Sequence, residues 1–523
     1  MKRRAFLKTL AAGAAWAVWR SAAGEAAGAK AEEAGAAAAG AARRPNIVVF
    51  IVDDMGWQDT SEPFWTQATP LNRKYHTPNM ERLAREGMKF TQAYACPVCS
   101  PTRVSLMTGL NAARHRVTNW TLQKDKPPDA SHPILRPPDW NYNGLCPEAG
   151  LPHSVHATPL PAFLRQAGYR TIHVGKAHWG ARGTPGADPL RLGFDVNIAG
   201  HAAGAPGHYL GTKNFGRTGK ADDVWGVPGL DKYHGQDIFL SEALTREAKA
   251  AVSEAVSAGK PFYLYMSHYA VHVPFAPDAR FIERYRQAGL DQKEAMYAAL
   301  IEGMDKSLGD ILDHLAALGV ADNTAVLFVS DNGGLSVHGR GGPPNTHNLP
   351  LSSGKGSARE GGIRVPMLAR WPGVIKAGST SGQFVMIEDF FPTIVEIAGV
   401  RDAKQVGGAI DGISFVPLLK GGQGPADRAL VWHYPNNWGP TGPGIGAFSA
   451  IRQGDWKYIY YHDGRGEELF NLADDIGETK NLAGEKPDIR SRLARTLGQY
   501  LTSVNAQTPI NKKTGQPVAV PAE

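Results

Sequence analysis

Short apolar runs alternate with longer amphipathic stretches along most of the chain. The two strongest runs, Asn46–Val52 and Thr324–Val329, are continuous and rich in β-branched residues, which is typical of strands buried on both faces of a parallel sheet. Further strands are predicted at 88–93, 169–174, 262–267 and 365–369, and helices at 79–86, 101–112, 160–167, 237–256, 294–318 (as one helix or two) and 391–398. This alternation predicts an α/β fold, a large mixed, mainly parallel sheet sandwiched by helices.

Local signals set two of the helix starts. Thr77 can cap a helix that has Pro78 in its first turn and Gly87 as its stop. Pro101 likewise suits the first turn of the helix predicted over 101–112, so we expect Cys99 just before its N-terminus. Unpaired N–H groups and the helix dipole favour negative charge there, which makes Cys99 a candidate for an activated nucleophile or an anion site.

The pattern changes after about residue 425. Short antiparallel strands joined by Gly-Asp and Asp-Gly turns, and then a helix, are predicted at 447–452, 456–461, 468–471 and 487–504. We expect a loose tail from residue 509 and a long loop region, rich in Gly, Pro and His, over 185–235. The chain is therefore predicted to comprise a leader and linker (1–44), a large α/β domain (45–424) and a small α+β domain with its tail (425–523).

Charge is concentrated at the N-terminus. The chain has 523 residues, a net charge of +7 and a pI near 9.1, but residues 1–45 alone hold eight Lys or Arg and three Asp or Glu. The remainder is nearly neutral, so the sequence lacks the basic footprint of a nucleic-acid-binding protein. A chain of this length favours two domains, one of them large.

The leader reads as a targeting segment. Arg3-Arg4-Ala-Phe-Leu-Lys8 precedes an apolar run, Thr9–Trp19, which is too short to span a bilayer. The twin arginine resembles the bacterial Tat signal, with an ordinary Sec signal peptide as the alternative. We expect export to the periplasm or the medium, cleavage among small residues near Ala22, a disordered Ala/Gly-rich linker over 23–42, and no membrane span after the leader.

Acidic residues follow both of the strongest strands. Asp53-Asp54 comes after the first and Asp331-Asn332 after the second, and ligands bind beyond the carboxyl ends of strands in open parallel sheets. If these strands are neighbours, each pair of carboxylates at ~4 Å would repel by about 4 kcal/mol at an effective dielectric of ~20. Protons or a cation must relieve this repulsion. An all-oxygen set favours Ca²⁺, with Mg²⁺ as the alternative; singly, such residues are more often turn formers and caps.

Six motifs in order resemble those of the type I, formylglycine-dependent sulfatases, arylsulfatase-like members of the alkaline phosphatase superfamily. The most specific is Cys99-Ser-Pro-Thr-Arg103, followed by Thr108-Gly109. The others are Asp53-Asp54, Gly175-Lys176-Ala-His178, Val271-His272-Val-Pro274, Asp331-Asn332-Gly333, and the series Asn348–Leu351, Gly354-Lys355-Gly356 and Glu360–Pro366. The resemblance spans residues 46–366 and implies an alkaline-phosphatase-like sheet.

The resemblance also implies a mechanism. Cys99 would be oxidised by a maturation enzyme to formylglycine, and Ca²⁺ would be held by the modified residue 99 with Asp53, Asp54, Asp331 and Asn332. Arg103 would hold the hydrated aldehyde, while Lys176 and Lys355 would bind sulfate oxygens. A hydroxyl of the aldehyde hydrate would attack sulfur, His272 or Lys355 would protonate the leaving group, and His178 would take a proton from the second hydroxyl to expel sulfate.

The implied function is hydrolysis of a sulfuric ester, on a sulfated glycan or an aryl sulfate. The alternatives are a phosphomonoester, phosphodiester or phosphonate hydrolase with the same nucleophile, a redox pair in Cys96-Pro-Val-Cys99, and a binding-only protein. The chain has Ala177 and Ser352 where the family usually has Trp and Arg, so its pocket walls are expected to differ from those of familiar relatives. Pairing of Cys96 with Cys146 stays open.

Several candidate residues can be explained either by a purely structural role or by a role in the site. Alone, Lys176 and Lys355 would be interpreted as solvated surface residues, and His272 equally as a core histidine or as a functional one. Further candidates for the pocket wall are in the long loop region and in the C-terminal domain, where a carbohydrate-facing rim competes with packing inside a hairpin. They are His201, His208, Trp225 and His234 in the loop region, and Trp432, His433, Asn436, Asn437 and Trp438 in the rim.

Overall fold

The two strongest apolar runs lie side by side at the centre of a nine-stranded sheet. A computed structural model describes residues 44–218, 222–400 and 409–522; the leader predictions over residues 1–43 lie outside this range. The strands of the large sheet are β1 (Asn46–Val52), β2 (Met88–Tyr94), β3 (Arg170–Gly175), β4 (Val196–Ile198), β5 (Phe262–Ser267), β6 (Thr324–Ser330), β7 (Arg364–Arg370), β8 (Ser379–Ser381) and β9 (Val385–Met386).

The sheet is mixed but mainly parallel, as predicted. Its order is β8-β2-β7-β6-β1-β5-β3-β4, and β9 pairs with β2. β7 runs antiparallel to both of its neighbours, β6 and β2, whereas the other pairings are parallel. Both β1 and β6 are buried along their whole length.

Helices cover both faces of the sheet. Val48, Phe50 and Val52 of β1 pack in one apolar cluster with the helices Pro78–Glu86, Leu240–Ser257 and Gln292–Ala317. Ile47, Val49 and Ile51 pack in the opposite cluster. The remaining α-helices are Cys99–Thr108, Ala112–His115, Leu160–Gln166, Ile282–Gln287, Glu360–Ile363, Phe390–Ile397 and Val416–Leu419, and Pro487–Ser503 in the C-terminal region. The stretch predicted as helical over 294–318 forms one helix, Gln292–Ala317, rather than two.

The start of one predicted helix and the cap of another are wrong. The helix predicted over 101–112 begins at Cys99 and ends at Thr108, where Gly109 adopts a left-handed conformation with φ of 71°. Cys99 is therefore the first residue of the helix. Pro101 fits at the third position because N–H groups in the first turn have no intrahelical partner, so the missing N–H of proline costs no hydrogen bond there. The other helix does begin at Pro78, but the hydroxyl of Thr77 bonds to Thr60 and Ser61 instead of capping it.

The C-terminal region has a four-stranded antiparallel sheet packed beside the helix Pro487–Ser503. Its strands are β10 (Ala429–Tyr434), which the sequence analysis missed, β11 (Phe448–Gln453), β12 (Trp456–Tyr461) and β13 (Glu467–Asn471). The prediction of a loose tail is wrong, because Ile510–Asn511 pairs with Leu135–Arg136. The domain boundary at residue 425 stays a prediction. None of the described helices has the length and apolar character that a bilayer crossing requires.

Candidate active site

Several strand ends meet at one edge of the large sheet. Val52 at the end of β1 lies opposite Ser330 at the end of β6, so the two acidic pairs that follow these strands are adjacent, as the sequence analysis supposed. Gly175 at the end of β3 lies opposite Ser267 at the end of β5, which brings Lys176 to the same edge. β7 begins at this edge because it is antiparallel, and the loop before it supplies Lys355.

Three cationic side chains lie against the three buried carboxyl groups. Lys176 Nζ lies 2.7 Å from Asp53 Oδ2 and Lys355 Nζ lies 2.6 Å from Asp54 Oδ1. Burial would raise the pKa of Asp54, but Lys355 and His272 outweigh it and hold the pKa below its usual range. In Asp53, burial dominates over Lys176 and raises the pKa. The repulsion expected from the sequence is thus relieved largely by the protein's own lysines and Arg103.

Arg103 fixes the edge of the sheet. Its guanidinium donates to Asp331 Oδ2 at 2.9 Å, to the carbonyl oxygen of Lys176 at 3.0 Å and to Ser267 Oγ at 2.7 Å. Burial would lower the pKa of this side chain, but Asp331 outweighs that effect and raises it. A fully buried, permanently charged Arg103 therefore ties the ends of β3, β5 and β6 together.

Cys99 lies between an acid and a lysine. Its Sγ is 3.5 Å from Asp53 Oδ1 and 3.4 Å from Lys355 Nζ. Burial raises the pKa of the thiol to about 12, although Lys176 and Lys355 oppose the shift. Burial also raises the pKa of Cys96 to about 12, whereas redox cysteines have lowered values. Cys96, Cys99 and Cys146 are all free thiols, so the geometry favours neither a redox pair nor a disulfide.

Two histidines flank this thiol in defined tautomers. His272 Nδ1 donates to the carbonyl oxygen of Val273 at 2.6 Å, which leaves Nε2 3.6 Å from Asp54 Oδ2. Burial lowers the pKa of His272 to about 3, so the ring is neutral. His178 Nε2 donates to the carbonyl oxygen of Thr121 at 2.9 Å, and its Nδ1 has no hydrogen-bond partner among the described residues. Burial lowers the pKa of His178 as well.

The cluster has the donor set of a cation site. Four ligand atoms lie within 4.8 Å of one another, one from each of Asp53, Asp54, Cys99 and His272. Asp54 Oδ2 and Asn332 Oδ1 are buried oxygens without a hydrogen-bond partner in the described part of the chain. Such orphaned acceptors in a polar pocket fit a hard divalent cation. The presence of His272 in the group was not anticipated, and both oxygens of Asp331 are already held, by Arg103 and by the backbone N–H of Asp54.

A cavity of about 310 Å³ opens over these groups. Cys99, His178, His272 and Lys355 line it, as do residues from several loops: Val98, Trp120, Gly204, Ala205, Trp225, His338, Trp438 and Pro440. Sequence reasoning missed Trp120 and His338, which lie in aperiodic loops without a motif.

The structure separates the candidates for the pocket wall. Trp225 and Trp438 line the cavity, whereas Asn437 and the three loop histidines His201, His208 and His234 are not among its described lining residues. Trp432, His433 and Asn436 are buried, so for these three the alternative of packing inside a hairpin is correct and the rim is not. Trp432, for example, donates its Nε1–H to the carbonyl oxygen of Ala95.

A mixed sheet with buried acids and cations at one edge, over an α/β core, defines a hydrolase of the alkaline-phosphatase-like fold. The family model "Sulfatase" matches residues 45–400, and the model "N-sulphoglucosamine sulphohydrolase, C-terminal" matches residues 355–507. The chain belongs to the sulfatase family, and it is a sulfatase.

Curated relatives agree with this assignment, and solved structures share the fold. A sulfatase of Formosa agariphila is 30% identical and aligns over 92% of both chains, and the N-acetylgalactosamine-6-sulfatase of Canis lupus familiaris is 32% identical over 86% of this chain and 78% of its own. The protein in the crystal structure of Ps i-CgsB in complex with k-i-k-neocarrahexaose is 25% identical in sequence. Its structure superposes with a TM-score of 0.68 over 88% of this chain and 93% of that one. Phosphonate monoester hydrolase from Silicibacter pomeroyi, 18% identical, shares the fold, with a TM-score of 0.59 over 88% and 95%.

Proposed function

We propose that this sulfatase removes sulfate from a sulfated carbohydrate, with Cys99 oxidised to formylglycine as the nucleophile and Ca²⁺ at the acidic cluster. The observation that carries the proposal is the position of Cys99, whose Sγ lies 3.5 Å from Asp53 Oδ1 and 3.4 Å from Lys355 Nζ under the cavity. An anionic ester bound there would meet a nucleophile, a lysine and the cation together. Carbohydrate substrates are supported by the N-acetylgalactosamine-6-sulfatase relatives.

The cation would be held by Asp53, Asp54 and Asn332 with residue 99, and His272 is within reach. Bound there, it would polarise sulfate oxygens and stabilise developing negative charge. The site already holds three cationic side chains beside its three carboxyl groups. A divalent cation would add two positive charges, which suits an anionic sulfate ester. We prefer Ca²⁺ to Mg²⁺ because calcium tolerates the irregular arrangement of these ligands.

Oxidation of Cys99 is supported by the state of the thiol. A pKa of about 12, raised by burial, leaves little thiolate at neutral pH, and the thiolate is the nucleophilic form. A hydrated aldehyde would supply a hydroxyl nucleophile and a second hydroxyl through which sulfate can be released. The proposal therefore requires a maturation enzyme that converts Cys99.

The other side chains would bind the ester and move protons. Lys355, beside Cys99, remains charged because Asp54 raises its pKa against the effect of burial, so it can hold a sulfate oxygen. His178 is neutral and offers an unpartnered Nδ1, which suits a proton acceptor. Lys355 would protonate the leaving oxygen, or His272 would do so once the bound anion has raised its pKa.

We further propose export through the Tat route, on the strength of Arg3-Arg4 and the apolar run after it. The mature enzyme would be periplasmic or secreted. Replacing both arginines by lysine should leave the full-length chain in the cytoplasm, as measured by cell fractionation. Unchanged export would remove this part of the proposal.

The function is tested by comparing sulfate with phosphate release. Purified protein should release sulfate from sulfated sugars and from 4-nitrophenyl sulfate, and hydrolyse 4-nitrophenyl phosphate and a matched phosphonate ester at least roughly 100-fold more slowly, a difference of about 2.7 kcal/mol in barrier. Cys99→Ala should abolish release, whereas Cys96→Ser should retain it. Equal or faster hydrolysis of the phosphorus esters would establish the alternative activity instead.

A further inference from the structure

Two tryptophans from distant parts of the chain face the same cavity. Trp120 follows the helix Ala112–His115, and Trp438 follows β10 in the C-terminal region. Both are half-buried and both line the cavity above Cys99. The Trp438 ring lies 6.0 Å from Lys355 Nζ, so it stands beside the groups that would receive the sulfate. Trp120 and Trp438 are called the tryptophan clamp below.

The two segments that carry this clamp meet at one half-buried carboxylate, Asp129. Its Oδ1 accepts hydrogen bonds from Asn119 Nδ2 at 3.2 Å and from Asn436 Nδ2 at 2.8 Å, and its Oδ2 accepts one from Trp140 Nε1 at 2.9 Å. Asn119 directly precedes Trp120, and Asn436 is two residues before Trp438. Asp129 therefore cross-links the neighbours of both clamp residues.

Further bonds continue this cross-link. The Tyr434 hydroxyl donates to Asn119 Oδ1 at 3.0 Å, and the backbone N–H of Ala130 donates to the carbonyl oxygen of Asn437 at 3.0 Å. The indole of Trp438 packs directly on the chain at Gly356, where an added Cβ would lie 2.2 Å from its Cε3. The clamp is thus held from both segments rather than by one flexible loop.

Indole faces of this kind suit a sugar ring. The C–H groups of a pyranose face present weakly positive hydrogens, which pack favourably on the negative face of an aromatic ring. A cavity of about 310 Å³ is at the small end of ligand pockets, ~300–1,000 Å³. It is sized for one or two sugar units rather than for a long stretch of polymer.

We propose that the tryptophan clamp binds the sulfated pyranose at the end of a glycan, and that Asp129 is the positioning residue that sets the clamp. The proposal rests on the proposed function and deepens it, since it makes the enzyme one that acts on terminal residues. A sugar alkoxide is a poor leaving group and needs accurate alignment over residue 99, whereas 4-nitrophenolate leaves readily and depends less on positioning.

The test compares KM and kcat for two substrates. In Asp129→Asn, an amide NH2 replaces one carboxylate oxygen and would face N–H groups from which that oxygen now accepts hydrogen bonds. This variant and Trp438→Ala should each raise KM for the best substrate of a sulfated-monosaccharide panel by roughly tenfold. Asp129→Asn, which lies outside the cavity lining, should leave kcat for 4-nitrophenyl sulfate and inhibition by inorganic sulfate within about twofold of wild type. Trp438→Phe should recover most of the loss.

Asp125→Asn is the matched control, because Asp125 lies in the same segment and bonds to Asn143 instead; it should behave as wild type. Binding to the Cys99→Ala protein, followed by tryptophan fluorescence, gives a readout without turnover, and Asp129→Asn in that background should weaken Kd for the monosaccharide roughly tenfold. If Asp129→Asn lowered kcat equally for both substrates and left KM and Kd unchanged, Asp129 would have only a structural role, and the proposal would be overturned. A wild type that binds the monosaccharide but releases no sulfate from any ester would instead contradict the proposed function.

Discussion

The ammonium group of Lys355 contacts two groups of the site. It pairs with Asp54 Oδ1 at 2.6 Å and donates to Cys99 Sγ at 3.4 Å, while 5% of its surface is exposed. Burial alone would lower its pKa, but Asp54 and Cys99 reverse the direction. The side chain therefore supplies a fixed positive charge at the point where a sulfate oxygen would arrive, and it also compensates Asp54 when no cation is bound.

Removing this charge should affect catalysis and stability separately. Lys355→Ala should lower kcat roughly 10²–10³-fold, the range for losing one preorganised donor. It should also lower Tm, because Asp54 keeps a buried charge without its partner, and added Ca²⁺ should restore part of that loss. Lys306→Ala, which breaks only the exposed pair with Asp310, should change neither quantity appreciably. Near-normal turnover by Lys355→Ala would contradict the role given to this lysine.

Gly204 determines whether His178 fits. A Cβ on Gly204 would lie 2.2 Å from His178 Cε1, while His178 Nε2 is already held by the Thr121 carbonyl. Gly204→Ala should therefore displace the ring and lower kcat by roughly 10–100-fold, part of the ~10²–10⁴ that a positioned acid or base contributes. Gly484→Ala, at a glycine with open space around it, is the control and should stay within about twofold of wild type. Equal activity of the two variants would show that His178 is not needed in its observed position.

At the scale of elements, the sequence was most informative where burial is complete. β1 and β6 could be predicted almost to the residue because a strand buried on both faces is apolar throughout. The acids that follow them could be placed together because parallel strands end at the same edge. The start of the helix Cys99–Thr108 was misplaced because Pro101 is tolerated anywhere in a first turn.

The cavity wall could not be predicted in the same way. Trp120 and His338 lie in loops without periodicity, and their positions depend on contacts made by distant segments, such as the bonds at Asp129. For the stretch that forms β10, the sequence allowed both a carbohydrate-facing rim and a packed hairpin, and the burial of Trp432 and His433 selects the hairpin. Motifs identify the groups that do chemistry, whereas the walls that select a substrate depend on tertiary packing.

The short helical turn Ile387–Asp389 should make stability depend on pH. Glu388 is buried against Asn111, which donates to its Oε1 at 2.9 Å. Burial and the neighbouring Asp389 raise its pKa from 4.5 to about 8. The folded state therefore binds this proton more tightly than the unfolded state. The contribution is fully present below pH 4.5 and is lost as the pH rises to about 8.

Glu388→Gln should remove this dependence while keeping the bond to Asn111. Urea unfolding at pH 5, 7 and 9 should show the wild type losing stability by at most about 1.4 kcal/mol per pH unit. The variant should have a flatter profile over the same interval. Parallel profiles for the two proteins would mean that Glu388 does not titrate in this interval.

At the scale of the whole molecule, the site exists only because the sheet is assembled. The acids come from the ends of β1 and β6, Lys176 from the end of β3, and Lys355 from the loop before the antiparallel strand β7. Each group is held by partners from another strand, as Arg103 shows by its bonds to Asp331 and Ser267. A cation bound to these groups should therefore stabilise the whole fold.

Calcium should raise the stability of the enzyme by mass action. At a free concentration of 100 times Kd, binding to the folded state alone contributes about 2.7 kcal/mol. Removing the cation with a chelator should lower both Tm and activity, and returning Ca²⁺ should restore them. Asp54→Asn should lose the calcium-dependent shift in Tm, whereas Asp125→Asn should keep it. A shift that survives in Asp54→Asn would place the stabilising cation elsewhere.

The most direct test of the account is the chemical state of residue 99. Mass spectrometry of the tryptic peptide Phe90–Arg103, taken from enzyme expressed in its own host, measures it in one experiment. The formylglycine mechanism predicts a peptide lighter by the difference between cysteine and formylglycine, with activity proportional to its fraction, and no such peptide from Cys99→Ala. Fully active enzyme in which every copy of this peptide carries an unmodified thiol would contradict it.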